Sequence, residues 1–390
     1  MAKYRFDQIA FNSTEKKKPV EEDRFTYLGL EHLDSGSLKV TRFGADVAPV
    51  GEKLVMHKGD VLFGKRRAYQ KKVAIAPFDG IFSAHGMVLR PKVEVIDPYF
   101  FPLFISSDYF LDAAIKISVG SLSPTINWRD LKILEFNLPD IETQRKLAAV
   151  LWSINDTMES YKKLISATDE LVKSQFIEMF GNPLTNERNW NCRKIGSLFG
   201  MVSRGKQPSY VAHSSVKVIN QACIYWDKFN MENVKYHDNH STKKTIPVTD
   251  GDILINSTGT GTLGRCNVFP TINDGYTYVV DSHVTALRPG AEINAWFFKS
   301  FFHRDDVQKK IYSECVNGST NQIELSKEKL SDVLIIVPPI DLQEQFAAFV
   351  LQSDKSKYHI QKSMTKCSEA VYEVRSILYP KCYLNRAKME

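Results

Sequence analysis

The chain contains an internal repeat that occupies its whole length. The segment LPDIETQRKLAAVL, which starts at Leu138, returns as VPPIDLQEQFAAFV, which starts at Val337. Shorter segments repeat in the same order, since GDVL at Gly59 returns as GDIL at Gly251 and LRP recurs 198 residues after its first copy. The sequence therefore predicts two similar domains related by a pseudo-twofold axis, with differences confined to loops.

Composition supports two packed cores and gives only a weak indication of the partner. Apolar residues make up 43% of the chain and aromatic residues 11%, which is ample for two domains. A net charge of +6 is a mild indication of a polyanionic partner. We expect a cytoplasmic protein, because no leader or membrane-spanning apolar run is visible. The six cysteines lack paired spacing, so we expect reduced thiols.

A heptad pattern follows each copy of the proline-containing segment. Apolar residues recur in alternating steps of four and three, and the two patterns keep the same register at an offset of 199 residues. We expect spacer helices at 139–180 and 338–379 that pair as an antiparallel coiled coil, with about 34 residues of regular pattern and a length of roughly 50 Å. The alternative is two helices that merely cover their own domains. The predicted seam residues are Leu147, Leu151, Ile154, Met158, Tyr161, Ile165, Val172, Phe346, Val350, Ile360, Met364, Val371 and Leu378.

The regions before the helices predict an α+β fold. Residues 1–138 and 190–337 contain short β-branched and aromatic runs separated by turn residues, such as 61–63 and 253–255. The Gly-Asn-Pro sequence at 181–183 predicts the end of the first helix and a linker over 181–189. We expect residues 380–390 to form a C-terminal tail after the second helix.

The strongest charged feature in the first half is the loop GKRRAYQKKV at 64–73, which contains five cations and no acid. Cations neutralise phosphates, while arginine, glutamine and tyrosine can also contact or stack on bases. A solvated basic turn is the alternative. The loop follows the repeated Gly-Asp segment, and a second polar loop comes later in the domain. The candidate nucleic-acid contacts are Lys65, Arg66, Arg67, Tyr69, Gln70, Lys71, Lys72, Ser121, Ser123 and Thr125.

The equivalent loop of the second half is small, polar and glycine-rich instead of basic. Different side chains on one scaffold suit a protein that recognises two different targets. The candidate nucleic-acid contacts here are Arg204, Lys206, Gln207, Ser209, Tyr210, Ser257, Thr258, Thr260, Thr262, Arg265, Asn317, Ser319 and Asn321. We expect lysines to hold phosphates, and arginine and glutamine to recognise bases.

Catalytic patterns are weak or missing. Glycines at 259, 261 and 264 match a dinucleotide loop, but the residues that follow predict a short strand where that loop needs a helix. The segment NPLT at 182–185 lacks the second proline and the aromatic residue of the motif that methylates exocyclic amines. His237 and His240 have no third metal ligand in sight. The chain is therefore predicted to be a non-catalytic recognition subunit with no metal.

The segments GDVLFGKRRAYQKKVAIAPFDGIFSAHGMVLRP and VGSLSPTINWRDLKILEFNLPDIETQRKLAAVL, with their second copies, resemble the DNA specificity subunit of type I restriction-modification systems. The resemblance covers nearly the whole chain and is most specific in the Pro-Gln segments that start the helices. It implies two target-recognition domains, each binding one half of a bipartite target in double-stranded DNA.

The resemblance also implies partners. Two adenine-methylating modification subunits, which carry S-adenosylmethionine, would bind the helices, and motor-nuclease subunits would join for restriction. The chain itself would bind no cofactor. A two-domain adaptor for a protein partner, or a nucleotide-binding enzyme that uses the loop at 259–264, are the competing hypotheses.

Overall fold

The structure is a computed structural model that describes residues 1–318 and 323–378. Two compact units emerge from it. One comprises Met1–Tyr161 and the described chain from Lys362, and the other comprises Lys162–Gln361. Each unit contains one strand-rich domain and a segment of both long helices.

The first domain is built from short strands and helices. Its strands are β1 (Ala2–Arg5), β2 (Ala10–Ser13), β3 (Lys16–Lys17), β4 (Tyr27–Leu28), β5 (Lys53–Met56), β6 (Val61–Phe63), β7 (Val73–Ile75), β8 (Gly80–Phe82), β9 (Met87–Pro91) and β10 (Glu135–Leu138). Its helices are α1 (Phe6–Ile9), α2 (Phe100–Ile105), α3 (Asp108–Lys116) and α4 (Trp128–Leu131), and the long helix α5 (Ile141–Phe180) follows.

The second domain repeats this order with additional strands. Its strands are β11 (Cys192–Lys194), β12 (Phe199–Arg204), β13 (Tyr210–Val211), β14 (Val216–Ile219), β15 (Lys235–His237), β16 (Ile246–Val248), β17 (Ile253–Asn256), β18 (Cys266–Val268), β19 (Thr277–Val280), β20 (Val284–Pro289), β21 (Val316–Asn317), β22 (Glu324–Leu325) and β23 (Leu334–Ile336). Its helices are α6 (Ile195–Leu198), α7 (Ala295–Phe302), α8 (Asp305–Cys315) and α9 (Lys327–Asp332), and the long helix α10 (Ile340–Leu378) follows.

The sheets of the two domains correspond strand by strand. The order β2-β9-β6-β7 in the first domain matches β12-β20-β17-β18 in the second, and the antiparallel pair β1-β10 matches β11-β23. The other sheet contains one parallel pair in each domain, β4 with β8 and β14 with β19. It then diverges, because β13 and β15 extend it in the second domain whereas β3 extends it in the first.

A buried ion pair explains why the Gly-Asp and Leu-Arg-Pro segments recur together. Arg90 donates from Nε and Nη2 to the two carboxylate oxygens of Asp60, at 2.6 and 2.9 Å. Arg288 makes the same two bonds to Asp252, at 2.9 and 2.7 Å. A bidentate pair of this kind fixes the strand that carries the arginine against the turn that carries the aspartate.

Replacing Asp252 by asparagine is expected to destabilise the second unit by about 2 kcal/mol, because the buried carboxylate that holds the partly exposed Arg288 guanidinium loses its charge. Asp252 is 1% exposed. Urea unfolding followed by circular dichroism measures the shift in midpoint. Asp250→Asn is the matched control, since Asp250 is exposed and bonds only the Thr271 hydroxyl among the described contacts. Equal midpoints for the two variants would contradict the structural role of the pair.

Both long helices begin two residues after the predicted start; α5 ends at the predicted Phe180, and the described part of α10 reaches Leu378. Their described lengths are 40 and 39 residues, more than the roughly 34 residues of regular heptad pattern. The expected C-terminal tail at 380–390 lies outside the described residues. Asp140 accepts the amide of Thr143 at 2.9 Å and caps the start of α5. Gly181 follows its last residue with a φ of +75°, a conformation that glycine adopts without a steric penalty.

The two helices run antiparallel within each unit. In the second unit the ring of Phe176 lies 5.5 Å from that of Phe346, and Lys357 donates to Asp169 at 2.8 Å. In the first unit Leu147, near the start of α5, and Val374, near the end of the described part of α10, pack against the same apolar core. Every predicted seam residue whose side chain is described is buried or half-buried; the side chain of Leu378 lies outside the described residues.

The α+β fold class with two similar domains and a paired-helix segment is thus confirmed. The hydrophobic cores are separate, one formed around Phe110 and Phe136 in the first unit and one around Phe297 and Phe298 in the second. The loops that carry the predicted contacts lie at equivalent ends of the two matched sheets, between β6 and β7 and between β17 and β18.

Candidate nucleic-acid interface

The basic loop of the first domain has a fixed conformation. A single 3-10 turn occupies Ala68–Gln70, and Arg67 and Lys71 on either side have φ values of 53° and 50°. Non-glycine residues in this left-handed region cost free energy and persist only where other contacts hold them. The amide of Gln70 donates to the Arg67 carbonyl at 2.9 Å, which closes the turn.

The structure joins this loop to the second predicted polar loop of the domain. The Arg67 amide donates to the Pro124 carbonyl at 2.8 Å, and Arg67 Nε lies 3.5 Å from the Ser123 hydroxyl. Arg66 and Thr125 form an antiparallel bridge. Two segments that are separated by more than fifty residues in the sequence therefore make one surface.

The side chains of the basic loop divide into two groups. Arg66, Arg67 and Tyr69 are exposed, as is Ser121 in the neighbouring loop. The other predicted residues are half-buried, namely Lys65, Gln70, Lys71, Lys72, Ser123 and Thr125.

Two of the predicted contacts need correction. Lys71 donates to the carboxylates of Asp108 and Asp112 at 2.6 and 2.7 Å, and Lys72 donates to the Leu30 carbonyl at 2.6 Å. Both lysines are half-buried, and these bonds to groups of the protein stabilise the loop. A phosphate would have to compete with these partners.

The exposed residues Arg66 and Arg67 lie among other cationic side chains, and the pKa values of two neighbouring groups show the mutual repulsion. Burial lowers the pKa of Lys65, and the nearby charge of Lys16 lowers it further. Burial also lowers the pKa of His85, with added contributions from Arg66, Lys65 and Lys53. A cluster of like charges favours the approach of a polyanion, which relieves their repulsion.

The glycine-rich loop of the second domain is held by internal bonds. The Thr262 hydroxyl donates to the Thr258 carbonyl at 2.9 Å, and Arg265 donates to the Gly261 carbonyl at 3.0 Å. The guanidinium carbon of Arg265 lies 5.1 Å from the centre of the Tyr225 ring. Thr260 is exposed at the tip. Strand β18 follows the loop, so no helix amides are available for a pyrophosphate.

Ser257 is a further correction. It is fully buried, and its hydroxyl lies 2.6 Å from that of Thr285. The sequence places Ser257 in a polar loop, but it follows β17 directly and still packs inside the sheet. Its hydroxyl is therefore a structural group.

The segment that follows β12 contacts the turn before β20. Arg204 donates from Nε to the Ser282 carbonyl at 2.6 Å and forms an ion pair with Glu324. The Ser282 hydroxyl donates to Gln207 at 3.1 Å. Lys206 and Gln207 are exposed. This segment and the glycine-rich loop therefore share one surface, because Thr258 also bridges to Glu324.

Ser209 and Tyr210 take positions that are partly structural. The Ser209 amide donates to His237 Nδ1 at 3.0 Å, which gives that buried histidine a role in the fold. Burial raises the pKa of Tyr210 to about 12, with the charge of Asp281 adding to the shift. The ring remains 42% exposed and is available for stacking.

The last predicted group lies only partly within the described structure. Asn317 is exposed and accepts a bond from Lys329 at 2.7 Å. Ser319 and Asn321 lie outside the described residues. Within residues 1–318 and 323–378, no helix is long and apolar enough to cross a membrane, and no three His, Cys, Asp or Glu side chains cluster as metal ligands.

The structure adds residues that sequence reasoning missed. Gln221 lies 3.3 Å from the Thr258 hydroxyl, and His283 lies 2.9 Å from it. In the first domain His85 contacts Arg66 at 3.3 Å. The sequence contains one indication of the two histidines. His85 and His283 stand 198 residues apart, which is the spacing of the repeated Leu-Arg-Pro segment.

Comparison with known proteins decides the family. The family model described as type I restriction modification DNA specificity domain matches twice, over residues 35–167 and 187–366. The chain belongs to this family. Family membership gives it a role in DNA sequence specificity as a non-catalytic component, and neither the adaptor nor the nucleotide-binding hypothesis is favoured.

Individual relatives agree with this family. The chain is 26% identical over 187 residues to the type I restriction enzyme EcoDI specificity subunit of Escherichia coli, an alignment that spans 46% of this chain and 41% of that protein. It is 21% identical to the putative type I restriction enzyme MjaX specificity subunit of Methanocaldococcus jannaschii, over 92% of this chain and 89% of that protein.

Solved structures share the fold of the chain. The type I restriction-modification S subunit from M. genitalium superposes with a TM-score of 0.61 at 16% identity, over 96% of this chain and 94% of that one. A chain from a structure describing complex assembly and conformational transition of the type I restriction-modification system gives 0.54 at 18% identity, over 96% and 95%.

Proposed function

We propose that this chain recognises a bipartite sequence in double-stranded DNA, with each domain contacting one half-site. The observation that carries the proposal is the pair of equivalent loop surfaces with unlike chemistry. The first surface presents Arg66, Arg67 and Tyr69, while the second presents threonines and amides. Arginine suits guanine, and hydroxyl and amide groups suit a wider range of base edges, so the two half-sites should differ in sequence.

The partners follow from the family and from the surface of the long helices. We propose that two adenine-methylating modification subunits bind these helices, that they carry the S-adenosylmethionine, and that motor-nuclease subunits join for restriction. Apolar side chains away from the seam support this, because Leu164, Leu171 and Tyr358 are 49, 52 and 60% exposed. Exposed apolar residues spaced along a helix are typical of a surface that another helix covers.

The test is to co-express the chain with the modification subunit encoded beside it and to map methylated adenines across the host genome by single-molecule sequencing. We expect one bipartite motif with a fixed gap, absent when this chain is deleted. Methylation that does not depend on the chain, in cells where the complex is shown to assemble, would contradict the proposal.

A further inference from the structure

A four-residue turn with the same hydrogen bonds occurs at the same place in both domains. In the first domain the Gly86 amide donates to the Ser83 carbonyl at 3.0 Å, and the Ser83 hydroxyl accepts the amide of His85 at 3.3 Å. The turn places His85 at its third position, two residues before the start of β9 at Met87.

The second domain repeats this pattern with other residues. The Val284 amide donates to the Asp281 carbonyl at 3.2 Å, and the Asp281 carboxylate accepts the amide of His283 at 2.9 Å. His283 therefore occupies the same third position, although serine has been replaced by aspartate as the side-chain acceptor.

The loop between β6 and β7 in the first domain, and between β17 and β18 in the second, is the recognition loop. Each histidine contacts the recognition loop of its own domain twice. The His85 carbonyl accepts the Arg66 amide at 3.2 Å, and the His283 carbonyl accepts the Ser257 amide at 2.8 Å. The rings contact side chains: His85 Nε2 lies 3.3 Å from Arg66 Nη1, and His283 Nδ1 lies 2.9 Å from the Thr258 hydroxyl.

The two contacted residues are themselves equivalent. Arg66 forms a bridge to Thr125, and Thr258 forms a bridge to Glu324, which lies 199 residues after Thr125. The side-chain contacts therefore join equivalent residues in the two domains, whereas the backbone contact is shifted by one residue, from Arg66 to Ser257. Both histidine rings are exposed, so packing of a core does not account for their position.

We propose that His85 and His283 are positioning residues for DNA recognition, and that each orients one side chain, Arg66 or Thr258, toward its own half-site. This inference rests on the proposed function and deepens it, because it names the contacts that set the two half-sites. Neither histidine is proposed to recognise a base itself.

The chemistry differs between the domains as their loops do. In the first, the guanidinium donates one N–H to the lone pair of a neutral imidazole, and its remaining donors stay free for guanine O6 and N7. Without the ring, the arginine would have to lose more rotamer freedom on binding.

In the second domain the Thr258 hydroxyl has a single proton. Gln221 Oε1 lies 3.3 Å away and can only accept, so making both bonds requires the hydroxyl to donate to Gln221 and to accept Nδ1–H from His283. The histidine thereby fixes the direction of the hydroxyl, and one lone pair remains for a donor on a base.

The experiment compares His85→Ala and His283→Ala in the intact chain, co-expressed with the modification subunit, with methylated adenines mapped as above. We expect His85→Ala to reduce selectivity about tenfold at a position of one half-site only, and His283→Ala to do so at the other half-site only. His85→Gln, which restores an acceptor for Arg66, should recover much of the lost selectivity. His57→Ala is the control, since its exposed ring faces Asp79 at 3.8 Å and, among the described contacts, none joins the ring to the loop between β6 and β7.

The outcomes separate the two proposals. If the unchanged chain gives a bipartite motif and both alanine variants give the same motif with the same selectivity, the positioning role is wrong and the proposed function stands. If each variant loses selectivity at both half-sites and has a lowered melting temperature, the histidines are structural and the inference is overturned. If the unchanged chain gives no motif, the proposed function fails and this inference with it.

Discussion

Replacing both Arg66 and Arg67 with alanine is expected to abolish recognition of one half-site and to leave the other unchanged. Both side chains are exposed, and neither forms an ion pair with any described residue. Lys71, by contrast, is held by two aspartates. A bidentate contact from arginine to a guanine contributes about 1–3 kcal/mol of discrimination, or about 5- to 160-fold, so the double variant should lose at least about fivefold in affinity, and about 30-fold or more if both arginines contact guanine.

Two measurements check this expectation. Fluorescence anisotropy with the assembled modification complex and a duplex containing the mapped target gives the affinity at several salt concentrations. Loss of a phosphate contact lowers the slope of log affinity against log salt concentration by about 1. Loss of a base contact leaves this slope unchanged and lowers the discrimination between bases at that half-site. The two arginines can therefore be assigned to phosphate or base by single substitutions.

The matched control is the double variant Lys3→Ala and Arg5→Ala. It removes two positive charges from strand β1, which pairs with β10 in the two-stranded sheet; in the structure these charges are paired with Glu135 and Asp7. We expect less than threefold loss, with both half-sites retained. Unchanged affinity and unchanged half-sites in the Arg66 and Arg67 variant would show that the basic loop is only a solvated turn.

Replacing Gln343 with leucine is expected to destabilise the second unit by at least 3 kcal/mol. Gln343 is completely buried at the start of α10. Its Oε1 accepts the Asn294 amide at 2.9 Å, and its Nε2 donates to the carbonyls of Glu292 and Pro338 at 3.1 and 2.8 Å. Leucine fills similar space and leaves three backbone groups without a partner, each costing about 1–3 kcal/mol.

We expect the same substitution at the equivalent residue, Gln144, to destabilise the first unit. Gln144 is completely buried and accepts the Asp97 amide at 2.8 Å while donating to the Val95 and Pro139 carbonyls. Chemical unfolding should show the first transition shifted by Gln144→Leu and the second by Gln343→Leu. Gln345→Leu is the control, because Gln345 is exposed on the same helix. A shift no larger than that of the control would mean that the amide is replaceable.

These glutamines give a physical reason for the sequence segments that carry the family resemblance. Each long helix must be fixed to its domain at its first turn, where helix amides and the preceding carbonyls have no helical partner. In each unit one glutamine side chain forms hydrogen bonds with backbone groups of the domain and with a carbonyl that precedes the helix. The Pro-Gln pattern is therefore a structural requirement, and it says nothing about which DNA is recognised.

The seam and the repeated segments were predictable because their signals are local and periodic. A step of three or four residues places side chains on one face of a helix whatever the rest of the chain does. The same holds for the Gly-Asp turn, where Gly59 and Gly251 have φ values of +93° and +80°. The sequence also indicated correctly that β18, a strand, follows the glycine loop.

The exposure of individual loop residues was not predictable in this way. Ser257 is buried beside Thr285, and Lys71 and Lys72 point to acceptors 37 and 42 residues away. Nothing in a polar loop sequence shows which side chains find a partner inside the protein. That outcome depends on long-range pairing of segments, and the cost of an unpaired buried group selects it.

The sequence by itself determined the two-domain plan, the paired helices and the unlike chemistry of the two recognition loops, because each depends on a repeat or a period that is visible along the chain. Only the tertiary structure decided which of those loop residues face solvent, and that His85 and His283 lie against them. Contacts between segments distant in sequence depend on how the sheets align, and strand register is set by packing of the whole domain rather than by any one segment.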